Sequence, residues 1–129
     1  MADVRGKSVI ITGGGQGIGF ALAQYLGRGG ASVAIAEYDA NAAQAAEKSL
    51  KAEGLSVISI VADVRNRNDA FKVASQAHAA FGSIDALINN AQITPPMVPF
   101  EDITEEHLRP STEALSRISP VLLARSSPD

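Results

Sequence analysis

Residues Thr12 to Gly19 read T-G-G-G-Q-G-I-G, with five glycines among the seven positions from Gly13 to Gly19. A plain turn from a strand into a helix needs one glycine. A run this dense suits a backbone that must come close to a bulky anion. The N-terminus of the helix that follows offers free N–H groups and a partial positive charge to that anion. Gly13 permits the tight turn off the strand. Gly17, lacking a Cβ, lets the backbone approach a pyrophosphate, and Gly19 lets the helix pack close to a sheet. Gln16 and Ile18 complete the turn and belong to the same candidate site. Glu37 stands 18 residues after Gly19, at the end of a second apolar run. A carboxylate there can accept hydrogen bonds from the hydroxyls of an adenosine ribose. The plain alternative is a solvated charge at a strand end, and the glycine turn favours the ribose role. A 2′-phosphate would face this carboxylate, and like charges ~4 Å apart repel by about 1–4 kcal/mol, depending on the effective dielectric. The neighbouring Gln16 and Tyr38 bring no basic group, so the cofactor expected is NAD, with NADP disfavoured.

Other candidates for chemistry are thin. Cysteine is absent, which excludes thiol nucleophiles, disulfides and Cys-zinc sites. His78 and His107 are not set at metal-ligand spacing, so no metal site is expected. Asp85 and the Glu105–Glu106 pair read as solvated charges. The serines after residue 107 have no base beside them.

The glycine turn needs a strand before it and a helix after it. Ser8-Val9-Ile10-Ile11-Thr12 is a short apolar run that reads as a buried strand. Ile18, Leu22, Tyr25 and Leu26 recur at helical spacing, and Gly29-Gly30 closes that helix. Ser32 to Ala36 reads as a second buried strand. Asn41 to Glu53 reads as a helix, with Asn41 and Gln44 in the places of a capping box and Gly54 where a C-terminus favours positive φ. Val57 to Val61 is a third strand. Ala70, Val73, Ala74, Ala77 and Phe81 mark one face of a third helix ended by Gly82, and Ala86-Leu87-Ile88 is a fourth strand. Strands alternating with helices imply βαβ units on a parallel sheet. The expectation is an α/β fold of Rossmann type, incomplete at about four strands in the order 3-2-1-4, with helices on both faces.

Asp63-Val64 follows the third strand, and Asn89-Asn90-Ala91 follows the fourth. Taken with T-G-G-G-Q-G-I-G, these residues resemble the short-chain dehydrogenase/reductase family. The resemblance runs from residue 5 through Phe100-Glu101-Asp102-Ile103-Thr104 to His107. It implies hydride transfer between NAD(P) and an alcohol or carbonyl. It also implies that Asp63 and Val64 contact the adenine ring, and that Asn89, Asn90 and Ala91 brace the sheet and line the cofactor cleft. Gln92 stands where the family has glycine, so any unusual backbone angle there carries strain. The family's chemistry further needs a Tyr-x-x-x-Lys pair, an upstream Ser and another Asn. Tyr25 and Tyr38 are the only tyrosines, Gly29 and Ala42 follow them by four, and no lysine occurs after Lys72. The expectation is no catalytic residue in this chain. It would then be an oxidoreductase completed by a partner chain, a cofactor-binding module without catalysis, or a truncated remnant.

Composition sets the frame. At 129 residues, 46% hydrophobic and 19% charged, the chain has the length and balance of one globular domain. Its net charge of −3 gives no footprint for nucleic acid. Neither a bilayer-spanning run nor a secretory leader is legible, so a cytoplasmic protein without a membrane partner is expected. All eleven glycines lie between Gly6 and Gly82, and all six prolines between Pro95 and Pro128. Residues 1–107 therefore read as a partial dinucleotide-binding domain. Residues 108–129 read as a divergent, poorly ordered tail, as an out-of-frame read would produce, because Pro110 breaks the helix the family would place there. The fourth strand would then present an open edge through which copies of the chain could associate.

Overall fold

The computed structural model describes residues 3–90, in which seven elements alternate. They are β1 (Ser8–Thr12), α1 (Gly17–Arg28), β2 (Ser32–Glu37), α2 (Ala40–Ala52), β3 (Val57–Val61), α3 (Arg67–Phe81) and β4 (Ala86–Asn89). The four strands form one parallel sheet in the order β3-β2-β1-β4, the α/β order expected. Ala91, Gln92, His107 and the tail 108–129 lie outside the described residues.

The strands are apolar on both faces because helices cover both. Ile10, Ala34, Ala36 and Ile60 pack with Val73, Ala74 and Ala77 of α3. Val9, Ile11, Val33, Ile35 and Val57 pack on the opposite face with Ala23 of α1 and Ala46 and Leu50 of α2. Burying each Val, Leu or Ile stabilises the fold by about 1.5–3 kcal/mol. The register then sets the site. Thr12 lies level with Ala36 on one side and Asn89 on the other, and Glu37 is level with Val61. All four strands therefore end together, and the chain reverses its direction of travel across the sheet between β1 and β4. Such a switch point leaves a crevice at the carboxyl ends of the strands.

Three local expectations need correction. On α1 the buried stripe is Gly19, Ala23 and Gly27, whereas Ile18 is 75% and Tyr25 54% exposed. Small residues let the α1 backbone approach the sheet, and Leu22 and Leu26 close the flank of that contact. The cap of α2 is Asp39, not Asn41. The Asp39 carboxylate accepts from the N–H groups of Asn41 and Ala42 at 2.9 and 3.1 Å, and a negative charge there also suits the helix dipole. Asp85 is not simply a solvated charge. Its Oδ2 accepts from the Ser8 N–H at 2.8 Å and ties the start of β4 to the start of β1. The glycine endings hold, with Gly54 at φ +83° and Gly82 at φ +80°.

β3 ends the sheet on one side. Glu47 accepts from the Ser59 N–H at 2.8 Å, and Lys72 donates to the Val61 carbonyl at 2.6 Å. These side chains occupy backbone groups that would otherwise pair with another strand.

Candidate functional site

The carboxyl ends of the strands enclose a cleft of about 490 Å³, lined by Gly13, Gln16, Ile18, Glu37, Asp63 and Val64 among others. That volume is in the range of small-molecule sites. Its roof is the turn from β1 into α1. The Gly13 N–H donates to the Ala36 carbonyl at 2.7 Å, which pins the start of the turn to β2. Gly13 has φ +69° and Gly17 φ +60°, left-handed values that strongly favour glycine. A Cβ on Gly17 would meet no atom within 4 Å, so its backbone faces open space. Gly19 is the reverse. A Cβ there would collide with the Gly13 carbonyl oxygen and with Asn90 Nδ2. Gly17 and Gly19 do not line the cleft themselves. Gly17 opens its roof, and Gly19 closes the packing behind it.

Asn90 joins β4 to this turn. Its Nδ2 donates to the Gly13 carbonyl at 3.1 Å, and its N–H donates to Thr12 Oγ1 at 3.0 Å. The start of α1 differs from those of the other helices in lacking a side-chain cap. Asp39 caps α2 and Asn66 caps α3 through their side chains. Gln16, at the N-cap of α1, makes no such bond, and the first turn of α1 holds no acidic residue.

Glu37 ends β2 in the cleft wall and is only 6% exposed. Its Oε1 accepts from the Gly15 N–H at 3.0 Å and its Oε2 from the Asp39 N–H at 3.1 Å. Each carboxylate oxygen keeps room for a further donor. Facing it from the β3 side are Asp63 and Val64. Asp63 Oδ1 accepts from the N–H and Nε of Arg65 at 2.9 and 3.1 Å, and Oδ2 from Nη2 at 3.1 Å. The side-chain hydrogen bonds from Arg65 hold the Asp63 carboxyl below its ordinary value of 3.8, against a smaller opposing effect of burial. The Asp63 N–H in turn donates to Asp69 Oδ2 at 2.8 Å, so the loop is tied to the first turn of α3.

The cleft thus gathers Gly13, Gln16, Ile18, Glu37, Asp63, Val64 and Asn90. It also holds Tyr38, Ala36, Ala62 and Arg65. In the sequence Tyr38 stands only as a non-basic neighbour and Arg65 carries no mark of a site residue, although its place two residues after Asp63 suits an Asx turn in which its N–H donates to that carboxylate. Gly15 was missed as well; its contact with Glu37 crosses 22 residues of chain. Among the described residues, no group of three or more His, Asp or Glu could hold a metal ion, and no helix is long and apolar enough to cross a membrane.

Residues 7–125 match the family profile described as short chain dehydrogenase. An uncharacterized oxidoreductase of Thermotoga maritima is 37% identical over 103 residues, 80% of this chain and 40% of the relative. A short-chain dehydrogenase/reductase of Burkholderia phymatum, solved in complex with NAD, superposes with a TM-score of 0.85 at 26% identity, over 96% of this chain and 45% of the other. A short-chain dehydrogenase of Burkholderia cenocepacia, solved in complex with NADP, superposes at 0.80 with 32% identity, over 97% of this chain and 51% of the other. The chain therefore spans about half or less of the length of these proteins. The matched span runs through the glycine turn, the 3-2-1-4 sheet and the Asn90 brace, and on it the chain belongs to the short-chain dehydrogenase family.

Proposed function

We propose that the cleft binds NAD(H) and that it serves hydride transfer between the nicotinamide and an alcohol or carbonyl group. The observation that carries this reading is the Glu37 carboxylate, held in the cleft wall by two backbone N–H groups with acceptor capacity to spare. The α1 N-terminus supports it, because its first-turn N–H groups have no Gln16 side-chain cap and face the turn that Gly17 opens. In this reading the glycine turn takes the pyrophosphate, Glu37 the adenosine ribose, and Asp63 and Val64 the adenine, while Asn90 lines the cleft and braces the turn. The cofactor, when bound, supplies the hydride chemistry. The residues of this chain bind and orient it.

Neither Tyr25 nor Tyr38 is followed at four residues by lysine, so the 129 residues alone supply no acid–base pair of the family's kind. They bind the cofactor and do not turn it over. General acid–base help is worth about 10²–10⁴-fold, and a rate typical of an enzyme, above ~1 s⁻¹, from contaminant-free protein would overturn this part.

Fluorescence titration with NADH and NADPH tests the binding. NADH binds more tightly, and Glu37→Ala narrows or reverses the preference. Tighter NADPH binding by the unmutated chain would overturn the assignment of Glu37. One observation favours that second reading: Arg65 lines the cleft, and an arginine accommodates a 2′-phosphate in other dinucleotide sites.

A further inference from the structure

Gly13 and Gly17 are glycines because their φ values are positive, and Gly19 because a backbone oxygen stands where its Cβ would be. Gly15 fits neither explanation. Its φ is not in the left-handed region, so alanine there meets no backbone strain. The three atoms nearest to a Cβ there all belong to the Glu37 side chain, with Cγ at 2.6 Å, Oε1 at 2.7 Å and Cδ at 3.0 Å. The N–H of the same residue donates to Glu37 Oε1. Gly15 therefore supplies both the space and one of the two bonds that hold the carboxylate.

We infer that Gly15 is a positioning residue for cofactor discrimination: its missing side chain is the slot that seats Glu37, and filling the slot weakens the preference for NADH over NADPH. The inference rests on the NAD(H) reading above and adds to it a residue that need not touch the cofactor. The atoms nearest the methyl are those of the Glu37 side chain from Cγ outward and not backbone, so the strain falls on the seating of the carboxylate, whose bonds to Gly15 and Asp39 must give. Seating Glu37 through a backbone donor also explains why the carboxylate is buried at the strand end and not spread into solvent.

The test is a four-protein cycle of the 129-residue chain: unmutated, Gly15→Ala, Glu37→Ala and the double variant. Each is followed by thermal unfolding and by titration with NADH and NADPH. Gly15→Ala lowers the NADH-over-NADPH affinity ratio by about tenfold, the scale of one hydrogen bond to a charged group. In the Glu37→Ala background the same substitution leaves the ratio unchanged. Unfolding follows the same pattern. Gly15→Ala lowers Tm when Glu37 is present and has little effect when alanine at 37 has removed Cγ, Cδ and Oε1. Should Gly15→Ala alone fail to fold, recovery of a cooperative transition in the double variant still supports the slot.

Equal losses of Tm in both backgrounds, or an unchanged affinity ratio in Gly15→Ala, would overturn the role of Gly15 while leaving the NAD(H) reading intact. If neither dinucleotide binds the unmutated chain, the NAD(H) reading falls and the discrimination role falls with it, whatever the unfolding data show.

Discussion

The two walls of the cleft are built by opposite means. On the β1–β2 side the structure is made of backbone. Gly13 is pinned to Ala36, Gly19 packs against the Gly13 carbonyl, and Glu37 is held by two N–H groups. On the β3–α3 side it is made of side chains. Asp63 and Arg65 grip each other at the surface, and Asp69 reaches back to the Asp63 N–H. A backbone wall is rigid and tolerates little substitution, because its atoms are main-chain atoms of the strands, the turn and the helix starts that the fold itself fixes. A side-chain wall can rearrange at small cost, since exposed ion pairs contribute only about 0–1 kcal/mol. In the NAD(H) reading proposed above, the first wall would set where the cofactor lies, and the second would adjust to what the cofactor carries.

The comparison breaks most sharply at Gly19. Gly19→Ala places a methyl against Asn90 Nδ2 and against the Gly13 carbonyl oxygen, and the backbone oxygen cannot swing aside without moving the turn that leaves β1. Overpacking of this kind costs about 1–3 kcal/mol. We expect a lower Tm together with loss of dinucleotide binding, measured by thermal unfolding and NADH titration. Unchanged stability would mean that the α1–sheet approach is looser than the contact implies.

Asn90→Ala comes next. It removes the Nδ2 donor to the Gly13 carbonyl but keeps the backbone bond to Thr12 Oγ1. The expected loss is about 0.5–1.5 kcal/mol, the net worth of one hydrogen bond, in urea unfolding. NADH affinity should fall as well, because the turn loses its brace from β4. A variant with unaltered stability would show that Gly13 is held by Ala36 alone.

The same division explains what was legible in the sequence. Glycines that obey backbone rules announce themselves, so the turn and the helix endings at Gly54 and Gly82 are read directly, and the strand order follows from the alternation of strands and helices with right-handed crossovers. Glu37 was legible from its spacing after Gly19. Long-range side-chain matches were not. Nothing local says that Gly15 makes room for Glu37, that Asp85 reaches Ser8, or that the buried face of α1 runs through Gly19, Ala23 and Gly27 and not through Ile18 and Tyr25. Periodicity of large apolar residues misleads on a helix whose contact face is made of small ones. Asp39 outcompetes Asn41 as a cap for a local reason: its carboxylate sits two and three residues before the donors it accepts from.

Arg65→Ala probes the adjustable wall, and its effects are smaller. The Asp63–Arg65 pair is partly open to solvent, with side-chain exposures of 29% and 43%. Its loss should change stability at neutral pH by less than about 1 kcal/mol. Affinity for NADPH should fall more than affinity for NADH, since only the former carries a 2′-phosphate for a guanidinium to meet. Equal changes for the two cofactors would place Arg65 outside any phosphate contact.

The smallest effect is the pH dependence of that same pair, and its sign is fixed by the direction of the Asp63 shift. Arg65 lowers the folded-state pKa of Asp63 below the ordinary 3.8. The unfolded chain, with an ordinary carboxyl, takes up a proton first as pH falls, so the stabilisation by the pair is fully present above 3.8 and is lost as pH drops through the lower folded value. The stability gap between the unmutated chain and Arg65→Ala should accordingly be constant through neutral and mildly acidic pH. It should close only below 3.8, where Asp63 is protonated in both states. Urea unfolding of the two proteins across that range reads the gap directly. A gap that already narrows near neutral pH would point to a different titrating group behind the interaction. A gap that persists undiminished at the acid end would mean that Arg65 stabilises the loop through packing of its aliphatic stem and not through the Asp63 carboxylate.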